Sequence, residues 1–201
     1  PIGIGEVFTR YKNWIKKDNY DYLGWHFHPI SLSKKNYHAA TSLLNSTSPL
    51  VQSICYRVLE HDWFPAVNRP GFHSIRTDWN LFYEQWMPFE YSNQFTNEDS
   101  FQSDMEGGRF GDWRRSPNIW SGYNPDIHDY QIPGQCNRKI FRILNLGTRG
   151  RILKEIHLKE AFKEATEKGH SVIAFADHDW RDIKEDVITF NDMLNNLKIL
   201  F

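Results

Sequence analysis

Two histidines, His26 and His28, stand two residues apart in Gly24-Trp25-His26-Phe27-His28-Pro29. On an extended chain both imidazoles point to one face about 7 Å apart along the backbone, near enough to share one metal ion. Imidazole nitrogen is a good zinc ligand, and a hydrolytic zinc site takes about three protein ligands and leaves one position for water. The pair equally fits a polar strand end with one ring hydrogen-bonded and one solvated. Asp177-His178-Asp179 follows the apolar run Val172-Ile173-Ala174-Phe175-Ala176. Carboxylates beside an imidazole fix its tautomer and keep it protonated until needed, which suits a general acid. The plainer reading is a strand-end cap with Arg181 and Asp182 as surface ions. Arg69 and His73 flank Pro70-Gly71-Phe72. A guanidinium there can orient a catalytic carboxylate through two hydrogen bonds, or simply form a surface ion pair. Asp126, His128 and Asp129 form another acidic-histidine cluster, able to reach a metal or to build a turn. Trp113, Trp120 and Tyr123 offer faces for stacking on sugars, and pack equally well in a core. With His73 and His128 they make up the candidate substrate-binding set. Arg114, Arg115, Arg149 and Arg151 could meet an anionic substrate or solvate the surface.

These residues need a scaffold, and the hydrophobic spacing supplies one. Residues 6–16 carry Val7, Tyr11, Trp14 and Ile15 at helical spacing, and residues 18–27 turn extended and aromatic. Pro29 stops that strand from continuing through a sheet. Residues 49–61 read as a helix with Val51, Ile54, Cys55, Val58 and Leu59 on one face, and residues 64–68 as a short strand ending at Arg69. A helix over 77–86, capped by Thr77 or Asp78, leads to a strand over 87–91. Residues 94–136 are polar, rich in Gly, Pro and Trp and without a period, as expected of a functional loop insertion. Strand 139–146, helix 158–168 ended by Gly169, strand 171–176 and helix 184–197 complete the order. Alternating helices and short apolar strands predict an α/β fold, a mostly parallel sheet or distorted barrel with its site at the carboxyl ends of the strands.

The 201 residues, 40% hydrophobic and 24% charged, suit a single domain with a buried core. Lys and Arg number 24 against 25 Asp and Glu, so no overall field draws the chain to nucleic acid or an anionic membrane. No apolar run approaches the roughly 20 residues of a membrane-spanning helix. Cys55 and Cys136 lie far apart without a CxxC, which argues against a disulfide framework or thiolate zinc site and predicts a reducing, cytoplasmic setting. The chain lacks an initial Met and stops on Ile199-Leu200-Phe201, so a fragment of a longer protein is expected.

With three polar strand ends located, the pattern resembles the polysaccharide deacetylase family, the NodB-homology hydrolases. His26 and His28 look like a variant, at closer spacing, of the motif that supplies two metal-binding histidines in that family. Arg69-Pro70-Gly71-Phe72 is similar to its short arginine motif, which implies that Arg69 orients the catalytic base. The late apolar strand running into Asp177-His178 is similar to the segment carrying the family's catalytic acid, which implies that role for His178, flanked by Asp177 and Asp179. The family's Asp pair, which supplies the base and a third ligand from a strand before the first helix, has no counterpart here. The resemblance spans roughly residues 5–195 in element order. It implies a deacetylase-type barrel, a divalent metal, zinc by its ligands, and hydrolysis of an N- or O-acetyl group on a carbohydrate. Two rival readings share these residues. A metal-dependent phosphoesterase or amidohydrolase would add His73, His128 and Asp177 as ligands. A non-catalytic glycan-binding domain would use the aromatic loop without turnover.

Overall fold

The computed structural model describes residues 4–17, 21–28, 43–96, 111–146, 152–169, 172, 174–177, 182 and 184–200. Its elements are α1 (Ile4–Ile15), α2 (Leu43–His61), β1 (Val67–Asn68), a 3₁₀ turn (Gly71–His73), α3 (Thr77–Glu84), β2 (Phe89–Asn93), β3 (Lys139–Asn145), α4 (Glu155–Lys168), β4 (Ala174–Ala176) and α5 (Lys184–Leu200). The four strands form one curled sheet in sequential order, every pair parallel. Crossover connections between successive parallel strands, helical through α3 before β2 and α4 before β4 and irregular between β2 and β3, give this arrangement. Trp25 adds a fifth position by bridging Asn68 in parallel. The expected α/β parallel architecture is therefore present, as a half-barrel.

The elements differ from the sequence expectation mainly at their ends. The first strand shrinks to that bridge at Trp25, and β1 to two residues, because few hydrogen bonds hold this edge of the sheet. Helix α2 runs through Pro49 and starts upstream of it, at Leu43, although an internal proline removes one helical donor. Helix α3 is capped by neither Thr77 nor Asp78. The extended residue before it is Arg76, with no side-chain cap bond, and the Asp78 carboxylate instead accepts from the Trp79 N–H at 3.1 Å. Helix α4 ends as expected at Gly169, whose φ of 66° is cheap only for glycine. At its start, His157 Nδ1 accepts from the Lys154 N–H at 3.0 Å, the role a glutamate takes in a capping box.

Two apolar clusters cover one face of the sheet. Trp25 and Ile140 pack with Leu50 and Ile54 of α2, Trp79 and Tyr83 of α3, and Trp113, Tyr123 and Tyr130 of the long connection. Leu144 packs with Leu158 and Ala161 of α4 and Met193 of α5. The described part of the 94–136 connection, residues 94–96 and 111–136, has no regular element beyond isolated bridges and packs against the core. Glu164 of α4 pins it there, accepting from the Trp120 and Ser121 N–H groups at 2.9 and 3.1 Å and from Ser121 Oγ at 2.7 Å.

Strand β2 turns its polar residues inward. Glu90 and Ser92 are fully buried, whereas Phe89 is exposed and Tyr91 half-buried. Electrostatics decides this facing. The Glu90 and Arg138 side chains, each 1% exposed, form an ion pair. Ser92 Oγ and Asn68 Nδ2 also donate to the Glu90 carboxylate. The Arg138 guanidinium lies 5.6 Å over the Tyr83 ring. Burial, then the Glu90 charge, pushes the Tyr83 hydroxyl pKa well up, so it stays neutral.

Two stability predictions follow from these ions. Glu90→Gln leaves the Arg138 charge buried without its counter-ion and is expected to cost about 3 kcal/mol or more in urea unfolding. Burial opposes ionisation of Glu164, but the Trp120, Ser121 and Lys168 hydrogen bonds outweigh it and bring its carboxyl down to about 2. A folded pKa below the ordinary value contributes stability above that value, lost as pH falls through the folded one. Wild type should therefore exceed Glu164→Gln by about 1 kcal/mol at pH 7, solvent screening of this partly exposed group taken into account, with the difference shrinking between about pH 5 and 2 in pH-resolved unfolding.

Candidate functional site

The carboxyl ends of the Trp25 segment, β1 and β2 converge. The Trp25 N–H donates to Val67 O at 2.6 Å, Arg69 N–H to Trp25 O at 2.8 Å and Gly71 N–H to Phe27 O at 2.8 Å. This short ladder sets His26 and His28 beside Arg69 and Gly71. His26 Nδ1 lies 2.7 Å from Arg69 O. A carbonyl only accepts, so Nδ1 carries the proton and Nε2 presents its lone pair. That Nε2 accepts from His28 Nε2–H at 3.0 Å, with the rings nearly perpendicular at 84°. His28 in turn rests on Gly71, where a Cβ would stand 2.5 Å from its ring.

Behind the pair lies a buried layer. Arg69 donates from Nη1 to Pro70 O at 2.9 Å and from Nη2 to His73 Nε2, which also receives the Gln94 amide at 2.7 Å. Because arginine only donates, His73 Nε2 is unprotonated and the neutral ring carries its proton on Nδ1. Desolvation lowers the Arg69 guanidinium from its ordinary value to about 10, and it remains charged at neutral pH. His73 is 3% exposed and holds a left-handed φ of 50°. That conformation is sparsely populated for a non-glycine residue and persists where surroundings enforce it. The long connection supplies the enforcement. Trp113 Nε1 donates to His73 O at 2.9 Å, and Gly111 approaches the same carbonyl so closely that a Cβ would lie 2.0 Å from it.

The candidate residues therefore separate. His26, His28, Arg69 and His73 come together. Trp113, Trp120 and Tyr123 are at most 5% exposed, so they offer no face to a sugar in this conformation and act as packing and anchoring groups. Tyr123 donates to Tyr130 O at 2.5 Å, and Trp120 stacks under Arg142, whose guanidinium carbon is 4.5 Å from the ring centroid. Exposed His128 sits in a turn closed by its own N–H on Asp126 Oδ1 at 2.8 Å. Asp177 is exposed directly after β4, while His178 and Asp179 lie outside the described residues. Four strand spacings separate the Trp25 segment from β4, roughly 19 Å measured along the sheet, and its curl shortens the direct path.

Gln94 and Gly111 belong to the site without having been singled out in the sequence, and Gly71, there only part of the Arg69 motif, gains a role as the seat of the His28 ring. The polar end of β2 is the one signal that pointed towards Gln94. Tyr91 is a further addition: it stacks on Phe141 with ring centroids 5.1 Å apart, on the face away from the helices. Arg69 stands one residue past Asn68 as Tyr91 stands one past Glu90, so alternation places both on that face.

The donor set fits half of a metal site. Two ligands at 2.0–2.1 Å from a tetrahedral zinc ion lie about 3.3 Å apart, close to the observed nitrogen separation. Anchoring of His26 Nδ1–H on a carbonyl is the usual support of a ligating imidazole. Among the described residues no group of three or more His, Cys, Asp or Glu gathers for a metal. Among them, too, no helix is long and apolar enough to cross a membrane. Comparison with known protein families, with curated proteins and with solved structures gave no match.

Since the His28 position depends on a missing Cβ, Gly71→Ala should swing its ring off His26. The expected result is loss of the nuclear Overhauser contact between the two imidazoles with the fold retained by circular dichroism. A preserved contact would show that the backbone yields instead.

Proposed function

We propose that this chain is a divalent-metal-dependent hydrolase of the deacetylase type, which removes an acetyl group from a carbohydrate. The observation that carries the reading is the convergence of the His26 and His28 Nε2 atoms, 3.0 Å apart, with His26 locked by Arg69 O in the ligating tautomer. His26 and His28 would hold the ion, with zinc favoured by the two imidazoles. A bound divalent ion supplies Lewis acidity towards a carbonyl and acidifies water. His73 and Gln94 position Arg69 and exclude water from behind the pair. The acid assigned by resemblance is His178, with Asp177 and Asp179 beside it at the end of β4. With the loop tryptophans buried, Tyr91 and the exposed Phe89 offer the aromatic surface that a sugar ring needs on the Arg69 face.

The test combines elemental analysis with acetate release from N- and O-acetylated oligosaccharides. Wild type dialysed against trace zinc should retain about one equivalent and release acetate, with both lost in His26→Ala/His28→Ala. Zinc-free wild type, or acetate release unaffected by the double substitution, would overturn the metal-hydrolase reading. Sugar binding without zinc or turnover would select the glycan-binding alternative.

A further inference from the structure

Three other buried or nearly buried arginines show how this fold accommodates a guanidinium. Arg138 pairs with Glu90. Arg142 has Glu160 at 3.9 Å and the Trp120 ring beneath it. Arg57 lies over the rings of Phe8 and Tyr56, at 4.5 and 5.2 Å. Arg69 differs from them in having neither an acid nor an aromatic ring recorded beside it among the described residues. Its partners among the described residues are a carbonyl and a neutral imidazole, and neither balances its charge. Its other neighbours there, His26, His28, His73 and Gln94, bring no negative charge. A half-buried cation without a counter-charge is costly, and such positions are kept where a ligand supplies the missing charge.

Among the described residues, two of the five guanidinium N–H donors are engaged, by Pro70 O and His73 Nε2. The remaining donors suit two oxygens of one anionic group, since the planar fork matches carboxylate and phosphoryl geometry. The buried layer fixes the fork. His73 is held through its carbonyl by Trp113 and Gly111, and its ring nitrogen, with the unprotonated face towards Arg69, leaves the guanidinium little rotational freedom. Such a preformed donor set costs little ordering on binding.

We infer that Arg69 is a binding residue for an anionic substituent of the substrate, a carboxylate or a phosphoryl group, and does not serve to orient a catalytic base. The inference rests on the reading of these strand ends as the substrate site, but it does not require the metal. An acidic sugar or a sugar phosphate, with its ring towards Tyr91 and its acyl or ester group towards His26 and His28, would satisfy both.

The test measures binding to the purified chain by isothermal titration calorimetry, in chelator and again with zinc, at ionic strength matched with sodium chloride. Glucuronate, inorganic phosphate and glucose are the probes. Glucuronate or phosphate should bind at least tenfold more tightly than glucose, with a preference for one of them identifying the carboxylate or the phosphoryl source. Arg69→Met should abolish that advantage, and Arg69→Lys should keep only part of it, because one charged hydrogen bond replaces a fork. Equal affinity of wild type for glucuronate, phosphate and glucose would overturn the inference whether or not either variant folds, as would an unchanged advantage in folded Arg69→Met. Loss of zinc binding with the anion preference intact would remove the metal reading alone.

Discussion

The Glu90–Arg138 ion pair is the constraint on which the rest of the structure depends. Two opposite charges, each 1% exposed, are costly to bury and draw polar groups towards them. Asn68 of β1, Ser92 of β2 and Tyr83 of α3 therefore converge on one point, and this fixes the register of the first three strands more firmly than two-residue β1 could by itself. Because residues alternate along a strand, placing Glu90 and Ser92 on the helix-covered face turns Phe89 and Tyr91 to the other. Arg69 goes with them. An interaction buried under the sheet thus decides which β2 side chains turn to its other face.

The second level of organisation is the long connection between β2 and β3. Its composition invites a picture of an exposed loop that offers aromatic rings to a ligand. In the structure the rings are spent on anchorage: Trp113 and Gly111 clamp the carbonyl of His73, and Trp120 and Ser121 are tied to Glu164 of α4. The clamp keeps His73 in a left-handed conformation, and His73 in turn orients Arg69. Geometry at the strand ends is thereby set by chain some forty residues downstream, and a change at Gly111 would act on the site without touching it.

The strand ends combine two imidazoles in a converging arrangement with a guanidinium that has no counter-charge among the described residues. Both features favour electron-rich oxygen ligands, one through a bound ion and the other through hydrogen bonds.

Element order and parallel topology were legible in the sequence, because hydrophobic period and glycine or proline punctuation are local properties. The HxH pair was legible too, since a two-residue spacing on an extended chain requires both rings to share a side. Facing and partnership were not. Nothing local to Phe89-Glu90-Tyr91-Ser92 says that the carboxylate goes in and the rings go out, because the reason is Arg138, forty-eight residues away. The tautomer of His26 depends on the carbonyl of Arg69, and the burial of Trp113, Trp120 and Tyr123 on surfaces contributed by α3, α4 and the sheet. The sequence by itself determined which chemical groups stand at the strand ends. Tertiary structure alone decided which of them meet, because burial and charge pairing act between residues that are distant along the chain.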